Sequence, residues 1–467
     1  MSYKRFFPVF FLMVTVIFAQ VIGQGSLTQD IIDEIRNSGK LDSTEQVIMN
    51  ALTNSRLTDL IINRDFLTKH TDYFSHTIET KGITDQERSG RCWLFAGLNV
   101  LRPKVIKKFK LADFEFSQSY LFLWDKMEKA NTFLEHIIAM ADRDLYDREL
   151  EIILKRPVSD GGYWSYVVNL IDKYGVVPKD VMPEAYHTRN SWVMTSLLAL
   201  QLRKNAIELR KMAANGCSIS ELRKRKVDML KVIYKMLILN MGKPPAEFAW
   251  RYKNSKGEIS ESKTYTPVEF YHDVVAVDIK EYVALMNYPG KEYNRMYRLA
   301  NARNIWERDD PLYANLSIEK MKELTLASVL DNEPVWFACD IGQDKDSEHG
   351  ILSTKILDYR GLYELDFEIN KEDKISYWES SGNHAMVFVG VDFQNGRSVK
   401  WLVEDSHGKD RGHNGHWIMY DDWFNEFLYV VVINKKYLTT EIKDIFEQKP
   451  IPLPPWDPMV LILLNNQ

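Results

Sequence analysis

The sequence predicts an α+β fold, and three observations predict it. Apolar residues recur at helical spacing through the first half, short apolar runs take over in the C-terminal third, and no βαβ alternation links the two. Leu94, Leu98, Leu101 and Val105 share one helical face directly after Gly90-Arg91-Cys92, which places Cys92 at the start of a buried helix. Upstream, residues 25–83 read as a polar, amphipathic helical arm, with Leu41-Asp42-Ser43 as a helix start. Residues 191–239 are rich in Leu, Lys and Arg at helical spacing and break at Asn215-Gly216, after which Ser218 and Glu221 fit a capping box. A helical hairpin inserted at about 191–240 follows. Runs at 335–337, 385–391, 401–403, 417–420 and 428–433 predict strands of a mostly antiparallel sheet. Pro452, Pro454, Pro455 and Pro458 predict an extended, non-helical tail over 451–467, which leaves 84–450 as the core.

With 467 residues, 45% hydrophobic and 27% charged, the chain can bury a large core as one unit with insertions. A net charge of -5 with interspersed signs offers no footprint for nucleic acid. Lys4-Arg5 followed by an apolar run to Gly23 reads as a signal peptide over 1–24, and as a membrane anchor if it stays uncleaved. The expected location is therefore the secretory pathway, either secreted or in a lysosome- or vacuole-like compartment. Three cysteines (Cys92, Cys217 and Cys339) exclude a disulfide framework and are more typical of a reducing compartment, so a cytoplasmic location is the alternative.

A cysteine attacks only as thiolate, and a helix N-terminus with a nearby imidazolium favours that form. Cys92 meets the first condition. Six residues upstream, Gln86 offers an amide that, with the Cys92 backbone N–H, can hold an oxyanion. The segment Gln86-Glu87-Arg88-Ser89-Gly90-Arg91-Cys92-Trp93-Leu94-Phe95 resembles the active-site cysteine segment of papain-like peptidases. Phe114-Glu115-Phe116-Ser117-Gln118-Ser119-Tyr120, Asp160-Gly161-Gly162, Lys173-Tyr174-Gly175-Val176-Val177-Pro178, His384-Ala385-Met386 and Trp456-Asp457-Pro458-Met459 extend the likeness. Together they resemble the bleomycin hydrolase (aminopeptidase C) family across about residues 60–460.

The resemblance implies a two-lobed papain-like cysteine peptidase, with a helical lobe, an antiparallel β lobe and helical insertions. It implies His384 as general base and acid from the start of a strand, and Gly161 and Gly162 on the non-primed side of the cleft, where a substrate backbone can approach. It also implies an aminopeptidase acting on peptides, a homohexamer, and a C-terminal tail lying in the cleft. One position departs from the pattern. Papain-like enzymes carry Glu-Asn-Ser-Trp-Gly, whereas this chain has Glu404-Asp405-Ser406-His407-Gly408. Asp405 can still accept the imidazole N–H, but the aromatic ring that shields this contact is replaced by His407. His407, His413 and His416 beside Asp405, Asp410, Asp421 and Asp422 fit no standard zinc spacing, so no metal and no cofactor is expected. Two rival functions remain, a catalytically weakened scaffold or binding protein and a Cys-His-Asp acyltransferase.

Overall fold

The computed structural model describes residues 25–460, so the expected signal at 1–24 and the end of the tail at 461–467 lie outside the described residues. The chain divides after Ile62 into two compact units. In the first, α1 (Gln29–Ser38) is capped by the Thr28 hydroxyl. Helix α2 (Ser43–Leu52) starts from a reciprocal box: the Asp42 carboxylate accepts from the Glu45 N–H at 2.8 Å, and the Asp42 N–H donates to the Glu45 carboxylate at 2.7 Å.

Helical structure in the expected 25–83 arm stops at Leu67, and from Asn63 the chain belongs to the second unit. The reason is strand pairing, since His76–Thr77 adds to the edge of a longer strand opposite Val391 and Gly390. Helices α3 (Cys92–Phe109), α4 (Gln118–Ala139) and α5 (Trp164–Tyr174) follow, and then the hairpin of α6 (Trp192–Ala214) and α7 (Ile219–Met241). The break between α6 and α7 carries the predicted Ser218–Glu221 capping box.

Among the described residues one 12-stranded sheet dominates. Its strands include β1 (Tyr282–Met286), β2 (Arg295–Leu299), β3 (Leu312–Asn315), β4 (Val335–Cys339), β5 (His384–Gln394), β6 (Arg397–Glu404), β7 (His416–Tyr420), β8 (Leu428–Asn434) and β9 (Ile451–Leu453). Their order is β9-β2-β3-β1-β8-β4-β5-β6-β7, and only β9/β2 and β3/β1 among these pairs run parallel. Successive residues of β4 and β5 alternate between two cores. Trp336, Ala338, Ala385 and Val387 pack with α3 and α5, whereas Phe337, Cys339, Met386 and Phe388 pack on the opposite face with Trp401 and Phe424. Burial on both faces is why 385–391 reads as an unbroken apolar run rather than an alternating one.

Beyond β9, the described part of the predicted extended tail is broken by a turn closed by the Asp457 N–H on the Pro454 carbonyl and by a 3-10 turn at Pro458–Val460. The latter forms because the Asp457 carboxylate accepts the Met459 N–H at 3.0 Å and the Asp457 carbonyl accepts the Val460 N–H at 2.9 Å. No helix among the described residues is long and apolar enough to cross a membrane.

Candidate active site

Cys92 is the first residue of α3, and no side chain caps that helix. The positive end of the helix is thus directed at the thiol rather than at a capping oxygen. Three anchors fix this turn. The Trp336 indole of β4 donates to the Trp93 carbonyl at 3.0 Å. Arg91, fully buried, makes two 2.9 Å bonds to Glu184 and lies over the rings of Phe95 and Phe122. Farther along α3, Arg102 pairs with Glu404 at 2.8 Å, which ties the end of β6 to the helix that carries Cys92.

The antiparallel β5/β6 hairpin does the rest. His384 opens β5, and β6 returns beside it, with Glu404 opposite Val387. Asp405 therefore emerges at the same end of the sheet as His384. Its carboxylate receives His384 Nε2 at 2.7 Å, and both side chains are buried. The Cys92 thiol is within hydrogen-bonding reach of the same ring. Burial, the largest single influence on His384, disfavours the imidazolium; the Asp405 carboxylate and Cys92 outweigh it and raise the pKa to about 10. Asp405 shows the converse. Burial pushes it up, but the His384 ring, with a smaller contribution from His407, holds it well below the usual carboxylate range.

The contact expected to lack a shield is covered. The Trp417 indole donates to Asp405 Oδ2 at 3.0 Å, and the His407 ring lies 5.0 Å from that of His384 with Nδ1 3.2 Å from Asp405 Oδ1. Trp417, one residue into β7, supplies cover on the carboxylate that the 404–408 segment alone does not reveal.

Gln86 is held from both ends. Its backbone N–H donates to the Ser406 carbonyl at 2.8 Å, the Ser406 hydroxyl donates to Oε1 at 2.7 Å, and Nε2 donates to the Ser89 carbonyl at 2.5 Å. The amide is therefore oriented, with one Nε2 hydrogen remaining for another acceptor. Ser406 had no assigned role in the sequence reading; its position between Asp405 and His407 was the available signal.

Asp160 was also missed as a polar anchor, although it precedes the two glycines. Its carboxylate receives Lys126 at 2.5 Å, Thr195 at 2.8 Å, the Ser191 hydroxyl and the Gly90 N–H, and its carbonyl receives the Trp93 indole at 2.8 Å. Burial acts to raise its pKa, but Lys126 and the hydroxyls prevail and hold it below the usual range. Removing one member of such a buried pair typically costs about 3–5 kcal/mol, and here the loss falls on the turn before Cys92.

Gly161 and Gly162 are brought next to that turn. The Gly161 carbonyl accepts from buried Lys129 at 2.6 Å. A Cβ on Gly162 would stand 2.6 Å from the Trp93 ring, so close packing on the residue after Cys92 requires glycine there. From the tail, the Val460 carbonyl accepts the Tyr163 hydroxyl, one residue past Gly162, and Lys291 pairs with Asp457 at 3.1 Å.

Comparison with known proteins agrees with this geometry. Residues 26–460 match the Peptidase C1-like family. The chain is 39% identical over 391 residues to aminopeptidase C of Lactobacillus delbrueckii subsp. lactis, covering 83% of this chain and 87% of that protein. It is 35% identical over 434 residues to bleomycin hydrolase of Homo sapiens, covering 90% and 95%. The crystal structure of PepW from Lactobacillus rhamnosis HN001 superposes with a TM-score of 0.91 at 36% identity, over 94% of this chain and 99% of that one. The chain belongs to the Peptidase C1-like family, with the papain-like α+β fold, and is a cysteine aminopeptidase.

Proposed function

We propose that Cys92, His384, Asp405 and Gln86 carry the hydrolysis of peptides at a free N-terminus by acyl transfer. The observation that supports this most is the single buried imidazole shared between Asp405 and the thiol at the head of α3. The Cys92 thiolate attacks the scissile carbonyl and forms a C–S bond, while Gln86 Nε2 and the Cys92 N–H hold the oxyanion. His384 gives its proton to the leaving amine as the C–N bond breaks. Water, losing a proton to His384, then cleaves the thioester and restores the thiolate.

The tail is the element proposed to limit this chemistry to chain ends. Pro455 and Val460 line one cavity with Val158 and Ser159, which lead into Gly161 and Gly162, and with Tyr166 just beyond them. A peptide extending past the first residue or so would meet it. Wild type is therefore expected to release N-terminal residues from unblocked peptides and to spare N-acetylated ones. Truncation after Asp457 is expected to raise kcat/KM on acetylated peptides at least about tenfold, equivalent to about 1.4 kcal/mol of barrier. Unchanged specificity in a truncated protein with a wild-type melting curve would remove the tail from this role.

Two further readings belong with the proposal. The charge and apolar pattern of residues 1–24 supports secretory targeting, with N-terminal sequencing of native material starting between Gln20 and Thr28. Val193, Leu197 and Leu200 form an exposed apolar stripe on α6, which supports a homo-oligomer, hexameric by resemblance, readable by sedimentation.

A further inference from the structure

We propose that His384, Asp405 and His407 form a three-ligand site for a divalent cation of the Zn2+ class, and that its occupation switches the enzyme off. Their donor atoms, one from each side chain, lie within 4.8 Å of one another. His407 Nδ1 and Asp405 Oδ1 are 3.2 Å apart, close to the ~3.3 Å between neighbouring ligands on a tetrahedral zinc with ~2.0 Å bonds. His384 Nε2 and Asp405 Oδ1, at 2.7 Å, must open by roughly 0.6 Å to reach the same spacing once the proton between them leaves.

The surroundings suit a metal. Imidazole nitrogen and carboxylate oxygen are ordinary zinc ligands, and three protein ligands leave a fourth position for water. The Trp417 indole on Asp405 Oδ2 and the Ser406 N–H on Oδ1, at 2.7 Å, fix the carboxylate from behind. The His407 side chain is 29% exposed, which gives an ion a path to a pair that is otherwise buried. Both replacements in the 404–408 segment are needed. The Asn and Trp of the papain-like pattern would put an amide and an indole N–H here, and an indole N–H has no lone pair to give a metal. The 407–416 loop did not suggest this site by spacing because one ligand comes from β5, whereas His413 and His416 stand outside the cluster.

A metal on Nε2 takes the lone pair that otherwise carries the proton donated to Asp405. The ring then cannot be protonated on both nitrogens, so it cannot serve as the imidazolium partner of a Cys92 thiolate. That consequence rests on the proposed peptidase mechanism; the binding itself does not.

The test uses the full-length chain as Cys92→Ala, so that a thiolate–zinc bond cannot contribute, titrated calorimetrically with Zn2+ alone. One equivalent is expected to bind, and Asp405→Asn and His407→Trp are each expected to weaken that binding at least about tenfold. His407→Trp restores the residue of the papain-like pattern and keeps the space filled, and metal-free melting curves establish that each variant folds. Titration with Co2+ is expected to give the visible absorption of a tetrahedral site only where His407 and Asp405 are intact. Absence of binding to Cys92→Ala, or equal binding by both substituted proteins, would overturn the site. In the protein with Cys92, inhibition by Zn2+ that EDTA reverses and His407→Trp weakens is the expected functional result. Binding without inhibition would leave the site standing and overturn its role as an off switch.

Discussion

Replacing Cys92 by alanine is expected to lower kcat/KM by at least about 10^3-fold and to abolish covalent labelling by a thiol-directed peptidyl inhibitor. Cys339→Ala is expected to leave the labelling intact. The contrast is sharp because both thiols are fully buried and both stand close to His384. Cys339 sits opposite His384 in the β4/β5 pairing, with its sulfur 3.8 Å from the His384 carbonyl. Burial, reinforced by Asp340 and Asp405, pushes its thiol well above the ordinary range, so it stays protonated and inert. Cys92 has instead the head of α3 and the His384 ring. Each substitution removes one sulfur from a packed site and is expected to cost on the order of 1 kcal/mol, small enough to keep the fold.

The parts of this site that were legible in the sequence are those with local signals. Cys92 was found from the helical spacing of Leu94, Leu98, Leu101 and Val105, and β4 to β8 from apolar runs that are buried on both faces. β1 to β3 were not read. β2 carries Arg295 and Arg298 among its apolar residues, and a short strand interrupted by charge resembles a loop. Asp160 was hidden for a different reason. Its partners lie 31 to 70 residues away on other elements, and a buried ion pair leaves no periodic trace. The same holds for Trp417 over Asp405. Its apolar run predicted a strand, but only the β6/β7 pairing shows that its indole turns toward the carboxylate. Side-chain pairs set by tertiary contact, rather than by local propensity, are what sequence reading leaves out.

Asp405→Asn is expected to move the alkaline limb of the kcat/KM profile down by roughly 1–3 pH units while activity near neutrality persists. The active form needs His384 protonated beside the Cys92 thiolate. A histidine whose folded-state pKa is raised keeps its proton at low pH and loses it as pH climbs through the raised value, here about 10. Burial opposes the charge, and Asp405 is the foremost group opposing burial, followed by Cys92. An amide in place of the carboxylate can still accept the ring N–H through its oxygen but carries no charge, so the imidazolium is retained over a narrower range. His407, partly exposed on the other side of Asp405, is a second imidazole in contact with the carboxylate, so the profile is best measured in His407→Trp as well. Chelator in every assay keeps metal binding out of the comparison. Superimposed profiles for the wild type and Asp405→Asn would show that the 2.7 Å contact does not set the limb. Complete loss of activity would show that catalysis requires the carboxylate itself, and not merely an acceptor that orients the ring.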